Sequence, residues 1–200
     1  MFHAVWTIWV LVGYPRLRAV GEETLLYASV NLSVRAVIWV LPVFLYLRYV
    51  DGVSPADYLK LKKHWLSGIF WGLAFTVVVF VLSWAKQGPP HIRPGAITWN
   101  SILSTSLLIG FVEEVPYRGF IFQKLSESFS RTAAAVISSL LFVAIHLPGW
   151  LSLHLFTLHT MLFVFVFGAF MALLLVRAKS LWAPVIAHSL NDFLSAVLFR

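Results

Sequence analysis

Two adjacent acids, Glu113 and Glu114, stand within a segment otherwise rich in Leu, Ile, Phe and Val, and Arg118 follows Glu114 by four positions. An ionisable side chain at bilayer depth costs about 3 kcal/mol, so its presence is by default a sign of function. Glu114 has a simpler reading: Glu before Arg at this spacing shares one helix face, and the two neutralise each other. Glu113 sits about 100° around the helix from Glu114 and needs another polar environment. Pro116 cannot donate to the carbonyl of Val112, so the helix is expected to bend where the acids lie and to open to water. A carboxylate placed against water is equipped for general-base hydrolysis.

Two histidines extend the set. His146 closes the run Phe142-Val143-Ala144-Ile145-His146, and His188 opens His188-Ser189-Leu190-Asn191-Asp192, both in apolar surroundings. Either one alone is explained by a helix-to-helix hydrogen bond. Together with Glu113 and Asp192, drawn from three separate helices, they form a polar cluster that a small bundle would hardly support without water and a purpose. An ionised Asp accepts hydrogen bonds but cannot donate them. Asp192 is therefore either protonated, or an acceptor that orients His188, or replaced by Asn191 turned inward. The second fits best, because His188 and Asp192 lie one turn apart on one face. Tyr117, one turn from Glu113, can line the same site, although aromatic packing is its commoner role. Arg35 is expected to be a buried pairing residue whose partner is not readable. His3, His64, His91, His154 and His159 fall near helix ends or junctions and read as interfacial.

The elements that must position these groups follow from composition. The chain is 60% hydrophobic and 12% charged, whereas about a quarter of the residues of a soluble domain are charged. Its solvent is lipid, and the spanning elements are helices, because long apolar runs replace the alternation of a barrel strand. The fold class is all-α, a polytopic transmembrane bundle of about six to seven helices. Spans are predicted at about 2 to 12, 24 to 49, 65 to 85, 98 to 127, 132 to 148, 157 to 177 and 181 to 199. Breaks are expected at Ser128 to Arg131, Pro148-Gly149 and Ala178 to Ser180, while the short first span, which ends at Gly13, Pro15, Arg16 and Arg18, is either tilted, interfacial or continued into the next segment. Residues 1–200 read as a single membrane domain, with N-terminal helices and a Gly/Pro linker over 1–96 and the chemistry-bearing helices over 97–200. Met1 to Tyr14 lacks a basic leader region and a small-residue cleavage site, so the first helix is expected to be retained.

The formal charge of +7 is dispersed between apolar runs rather than gathered into a nucleic-acid stripe, and reads as a topology signal. Connections at 48 to 64, 123 to 131 and 177 to 179 are the richer in Lys and Arg and are placed in the cytoplasm. Trp65, Trp84, Trp99, Trp150 and Trp182 sit where interfacial anchors belong. With no Cys in the chain, thiolate catalysis and disulfides are excluded.

Glu113-Glu114-x-x-x-Arg118, Phe142-x-x-x-His146 and His188-x-x-x-Asp192, in that order and each on a hydrophobic helix, resemble the three motifs of the CAAX protease and bacteriocin-processing (CPBP, or Abi) family of intramembrane glutamic proteases, which includes the type 2 CAAX prenyl protease. The resemblance spans roughly residues 100 to 195. It implies hydrolysis of a peptide bond within the membrane without a covalent intermediate. Glu113 and His146 would activate water, and His188 with Asp192 would stabilise the oxyanion. Glu114, Arg118, Phe142 and Asn191 would support the site. The family position occupied by Asp192 is usually Asn, a departure that leaves the oxyanion donor open. The implied substrate is a membrane-associated, prenylated, lipidated or otherwise hydrophobic peptide segment. The implied setting is a prokaryotic plasma membrane, crossed several times.

Two other classes compete. Glu113, Glu114, His146, His188 and Asp192 are all plausible ligands for a divalent metal, although His-Glu-x-x-His is absent and no cofactor motif is seen. Metal content discriminates that reading. A non-catalytic membrane interaction or bacteriocin-immunity protein would use the cluster only to hold helices or bind a peptide, and its role would survive Glu113→Gln. A transporter is disfavoured by small size and the lack of repeats. Gly-x-Ser-x-Gly and Gly-x-Gly-Asp are missing, which argues against serine and aspartyl chemistry. Oligomeric state is not legible.

Overall fold

The computed structural model describes residues 2–103 and 106–199. The described residues form nine helices and no strand. We label them α1 (Phe2–Ile8, continuous through Trp9–Gly13 and Tyr14–Arg18), α2 (Leu25–Tyr49), α3 (Pro55–Tyr58), α4 (Trp65–Gln87), α5 (Trp99–Leu103), α6 (Ile109–Glu114, continuous through Val115–Phe122 and Gln123–Ser126), α7 (Arg131–Ser152), α8 (Leu158–Ala178) and α9 (Trp182–Leu198). Four of them, α2, α4, α7 and α8, are long and apolar enough to cross a membrane. The fold is all-α, a helical membrane bundle.

Side-chain caps begin three of the long helices. Thr24, Ser130 and Thr157 each turn an oxygen onto the amide three residues on, at 3.1, 3.2 and 3.0 Å, satisfying an end amide that has no partner within the helix. Pro15 does not stop α1, which runs on to Arg18, and Pro148, where a break was expected, lies inside α7, which runs on to Ser152. In lipid an interrupted helix would strand backbone groups where no water completes them, so the chain keeps its helix past the ring. Near Pro15, Pro42 and Pro116 the helix widens to π-helical geometry, over Trp9–Gly13, Ala36–Val40 and Val115–Phe122. The wider turn takes up the missing donor. The span predicted at 98 to 127 is also corrected: it is two helices, α5 and α6, with turn residues at 106 to 108 before α6.

Glycine sets the closest helix contacts. On α4, a Cβ at Gly68 would lie 2.8 Å from Ser180 Oγ, and one at Gly72 would lie 2.9 Å from the Ala183 carbonyl, so α4 packs directly on the backbone of α9. This is the small-x-x-x-small device of membrane helices. Gly110 brings α6 equally close to α9 at Val185 and Ser189. The Gly/Pro linker folds back on the end of α9, with Arg93 donating from its amide to Val197 at 3.0 Å and from Nη1 to Ala196 at 2.9 Å.

The basic connections meet at one end of the bundle. Lys124 pairs with Asp51 at 2.8 Å, Tyr58 donates to Glu127 at 2.7 Å, and the Leu181 amide donates to the Lys60 carbonyl at 3.2 Å. The three connections singled out by their charge therefore share a side.

Candidate active site

The segment of α6 that carries both acids is surrounded by protein. Glu114 and Arg118 are fully buried, and Glu113 and His188 keep 4% of their surface. The two glutamates take different partners, as their angular separation requires. Glu114 Oε1 accepts from Arg118 Nη1 at 3.2 Å and from His188 Nδ1 at 2.7 Å. Arg118 also donates from Nε to the Gly168 carbonyl at 3.4 Å, and its guanidinium lies 4.2 Å from the Phe142 ring centre. Gly168 makes that possible, since a Cβ there would come 2.8 Å from Arg118 Nη2.

Glu113 reaches the opposite way. Its Oε1 accepts from Arg35 Nη1 at 3.2 Å, and its Oε2 lies 3.8 Å from His188 Nε2. Arg35 in turn lies against the contacting pair Trp6 and Trp39, at 5.0 and 5.5 Å from the ring centres, and donates to Asn31 Oδ1 at 3.4 Å. The unnamed partner of Arg35 is thus Glu113, supplied from a helix 78 residues away in sequence.

His188 stands between the two acids, with Asp192 Oδ2 3.5 Å from its Nε2. The Asp192 side chain is 41% exposed, whereas Asn191 Nδ2 is buried and has no hydrogen-bond partner. His146 is fixed from below by its own helix: Nδ1 donates to the Phe142 carbonyl at 2.7 Å. A carbonyl can only accept, so the proton is on Nδ1, and in the neutral ring Nε2 is left as an acceptor. His146 also lies within electrostatic range of Glu113, His188 and Arg35. Phe142 is the common neighbour, its ring 4.7 Å from His146, 5.0 Å from Tyr117 and 6.0 Å from His188.

The model of the type II CAAX prenyl endopeptidase Rce1-like family matches residues 94–194, half of the chain. The chain belongs to this family. No curated protein and no solved structure matches it. Membership in the Rce1-like family makes the protein a membrane protease in class, and the matched stretch contains Glu113, Glu114, Arg118, Phe142, His146, His188, Asn191 and Asp192.

Arg35, Trp6 and Trp39 lie outside the Rce1-like match, and sequence reasoning missed their place beside Glu113. The available signal was a cation within an apolar span, which demands an acid from somewhere. Gly168 was missed too, because a glycine in a membrane helix is common and its neighbour is not written in its own segment. Among the described residues no three His, Asp or Glu side chains are grouped as a metal-ligand set. At Glu113 and Glu114 the positions a cation would take are held by Arg35 and Arg118.

Proposed function

We propose that this protein hydrolyses a peptide bond within the membrane by a glutamate-dependent reaction, with Glu113 and His146 activating water and His188 with Asp192 stabilising the oxyanion. The observation that carries this reading is the buried meeting of Glu113, Glu114 and His188 from α6 and α9, with Arg35 and Arg118 balancing the acids. Glu113 Oε2 and His188 Nε2 face each other at 3.8 Å, so the proposed base and the proposed oxyanion donor flank one position.

In the reaction, water attacks the carbonyl carbon while its proton passes to Glu113, and His146 Nε2 accepts the other water hydrogen to aim the lone pair. The oxyanion forms against His188, which in its doubly protonated form donates from Nδ1 to Glu114 and from Nε2 to the oxyanion. Asp192, 3.5 Å from the same Nε2, accepts from that ring before the oxyanion forms and yields the N–H to it as it does. Glu113 returns its proton to the leaving amine, which gives one new amine and one new carboxylic acid, whose remaining water-derived proton is lost to solvent on release.

The substrate we propose is a prenylated, lipidated or otherwise hydrophobic peptide segment, following the prenyl endopeptidase name of the family. The setting is a multi-pass position in a prokaryotic plasma membrane, with the basic connections in the cytoplasm. Quantitative mapping of protein termini in membranes from cells expressing the intact chain or Glu113→Ala at matched abundance tests the whole reading. New termini that require Glu113 support it and display the cleavage site. Their absence, with both proteins folded and abundant, overturns it in favour of a non-catalytic binding or immunity role.

A further inference from the structure

A polar cavity of about 540 Å³ opens at the end of the bundle where the basic connections meet, and neither Glu113 nor His188 lines it. Its cationic lining is Lys60, Lys63, Arg131 and Lys179, with His64 beside them and two acids, Asp57 and Glu127. Both acids are engaged. Asp57 pairs with Lys62 at 3.2 Å, while Glu127 accepts from Tyr58 at 2.7 Å and pairs with Lys124 at 3.3 Å. Among the described residues none of the four lining cations forms an ion pair. The cavity gathers positive charge and leaves it unmatched.

The backbone around the cavity is strained in a matching way. Four non-glycine residues have positive φ among the described residues, and three of them, Lys60 at 56°, His64 at 54° and Lys179 at 55°, line this cavity. A left-handed conformation costs a residue with a Cβ about 1–2 kcal/mol, and such strain persists only where the surroundings over-determine it. Here they do. The Lys60 carbonyl accepts from the Leu181 amide at 3.2 Å and from Ser180 Oγ at 3.4 Å, and the next carbonyl, Leu61, accepts from Trp182 Nε1 at 2.9 Å. This clamp ties the α3–α4 connection to the α8–α9 connection and brings Lys60 and Lys179 to one cavity. Burial, and then the neighbouring charge of Arg131, hold the Lys60 ammonium below its ordinary range, as expected of a cation without a counter-ion.

We infer that this cavity is an anion site that binds a phosphate group through Lys60, Lys63, Arg131 and Lys179. Basic pockets between helix ends at the cytoplasmic side take the headgroups of acidic lipids. The phosphodiester of an anionic phospholipid is therefore the expected source, with soluble phosphate as the other. The site is independent of the catalytic reading, since none of its residues belongs to the glutamate and histidine cluster.

The test uses the full chain in detergent micelles, with native mass spectrometry counting phosphatidylglycerol bound in competition with phosphatidylcholine. Asn tolerates positive φ, so Lys60→Asn with Lys179→Asn removes two charges while keeping the backbone. The double variant is expected to bind phosphatidylglycerol about 30-fold more weakly. Arg48→Gln, an exposed cation of the same basic connections that does not line the cavity, is expected to stay within about twofold. If the double variant does not fold, Arg131→Gln, at the exposed start of α7, is expected to weaken binding about fivefold on its own. Inorganic phosphate that displaces the lipid identifies soluble phosphate as the ligand, and failure to displace it identifies the headgroup. Equal weakening per charge by Arg48→Gln, or no preference for phosphatidylglycerol combined with no effect of inorganic phosphate, overturns the site.

Discussion

Helices α4 and α6 are both rich in apolar residues, yet they solve opposite problems. On α4, Leu66, Phe70, Val77 and Leu82 are each at least 60% exposed, and the buried face is made of Gly68, Gly72 and Thr76. On α6, the run from Val112 to Gly119 is buried throughout, and it contains Glu113, Glu114 and Arg118. In a bilayer the outside of the protein is as apolar as its inside, so hydrophobicity marks the lipid face and small or polar residues mark the face against protein. On the proposed function, α4 is the supporting helix and α6 the one that carries the chemistry.

The sharpest way to break that assignment is to remove the base. Glu113→Gln keeps the side-chain shape and still offers Arg35 an acceptor, so the fold is expected to stand. Cleavage of a hydrophobic or prenylated reporter peptide by the purified protein is expected to fall by about 10⁴-fold. A loss smaller than about tenfold would remove α6 from the chemistry.

Next in size is Arg118→Leu. It leaves Glu114 buried with only His188 as a charged neighbour, and breaking a buried pair from one side costs about 3–5 kcal/mol. Unfolding of the purified protein in a denaturing detergent series would show it as a large loss of stability. Adding Glu114→Gln to the same chain is expected to recover part of that loss, because the stranded charge is gone. A double variant as unstable as the sum of the two single changes would show that the pair is not coupled.

How much of this was legible in the residue order depends on whether a relationship lies within one helix or between two. The pairing of Glu114 with Arg118 and the approach of His188 to Asp192 are four-residue relations, and the spacing shows them directly. The same is true of the all-α class and the long spans of α2, α4 and α8, where length and apolar content are the whole signal. The contacts of Glu113 with Arg35 and of Glu114 with His188 cross between helices, and nothing local specifies which cation meets which acid. A break at Pro148 was expected from the behaviour of proline in water, and continuation past Pro15 was one of the readings left open. Lipid removes the solvent that would have completed an interrupted helix, so α1 and α7 continue. The close contact at Gly68 and Gly72 was not read from the sequence, because its partner, the backbone of α9, lies in another segment.

A third change tests the supporting half of the comparison. Gly72→Val places two methyl groups where even a Cβ meets the Ala183 carbonyl at 2.9 Å, and it is expected to cost about 1–3 kcal/mol by forcing α4 away from α9. Gly149→Ala on α7 is the control, because a Cβ there meets nothing within 4 Å. Detergent unfolding of the two variants side by side reads the difference. If both cost the same, the destabilisation comes from glycine replacement in general and not from the α4–α9 contact.

The smallest effect belongs to the outer face of α4. Val77→Leu and Leu82→Ile exchange one apolar side chain for another at positions 60% and 63% exposed. If acyl chains cover that face, the new side chain finds a fluid neighbour that fits either shape, and stability should shift by no more than about 0.5 kcal/mol. A rigid protein neighbour would behave otherwise, since packed surfaces register a single displaced methyl group. A loss above about 1 kcal/mol in lipid nanodiscs would therefore mean that a second protein surface lies on α4. The contrast with α6 would then be one between two protein interfaces, and cross-linking from position 77 would find the partner.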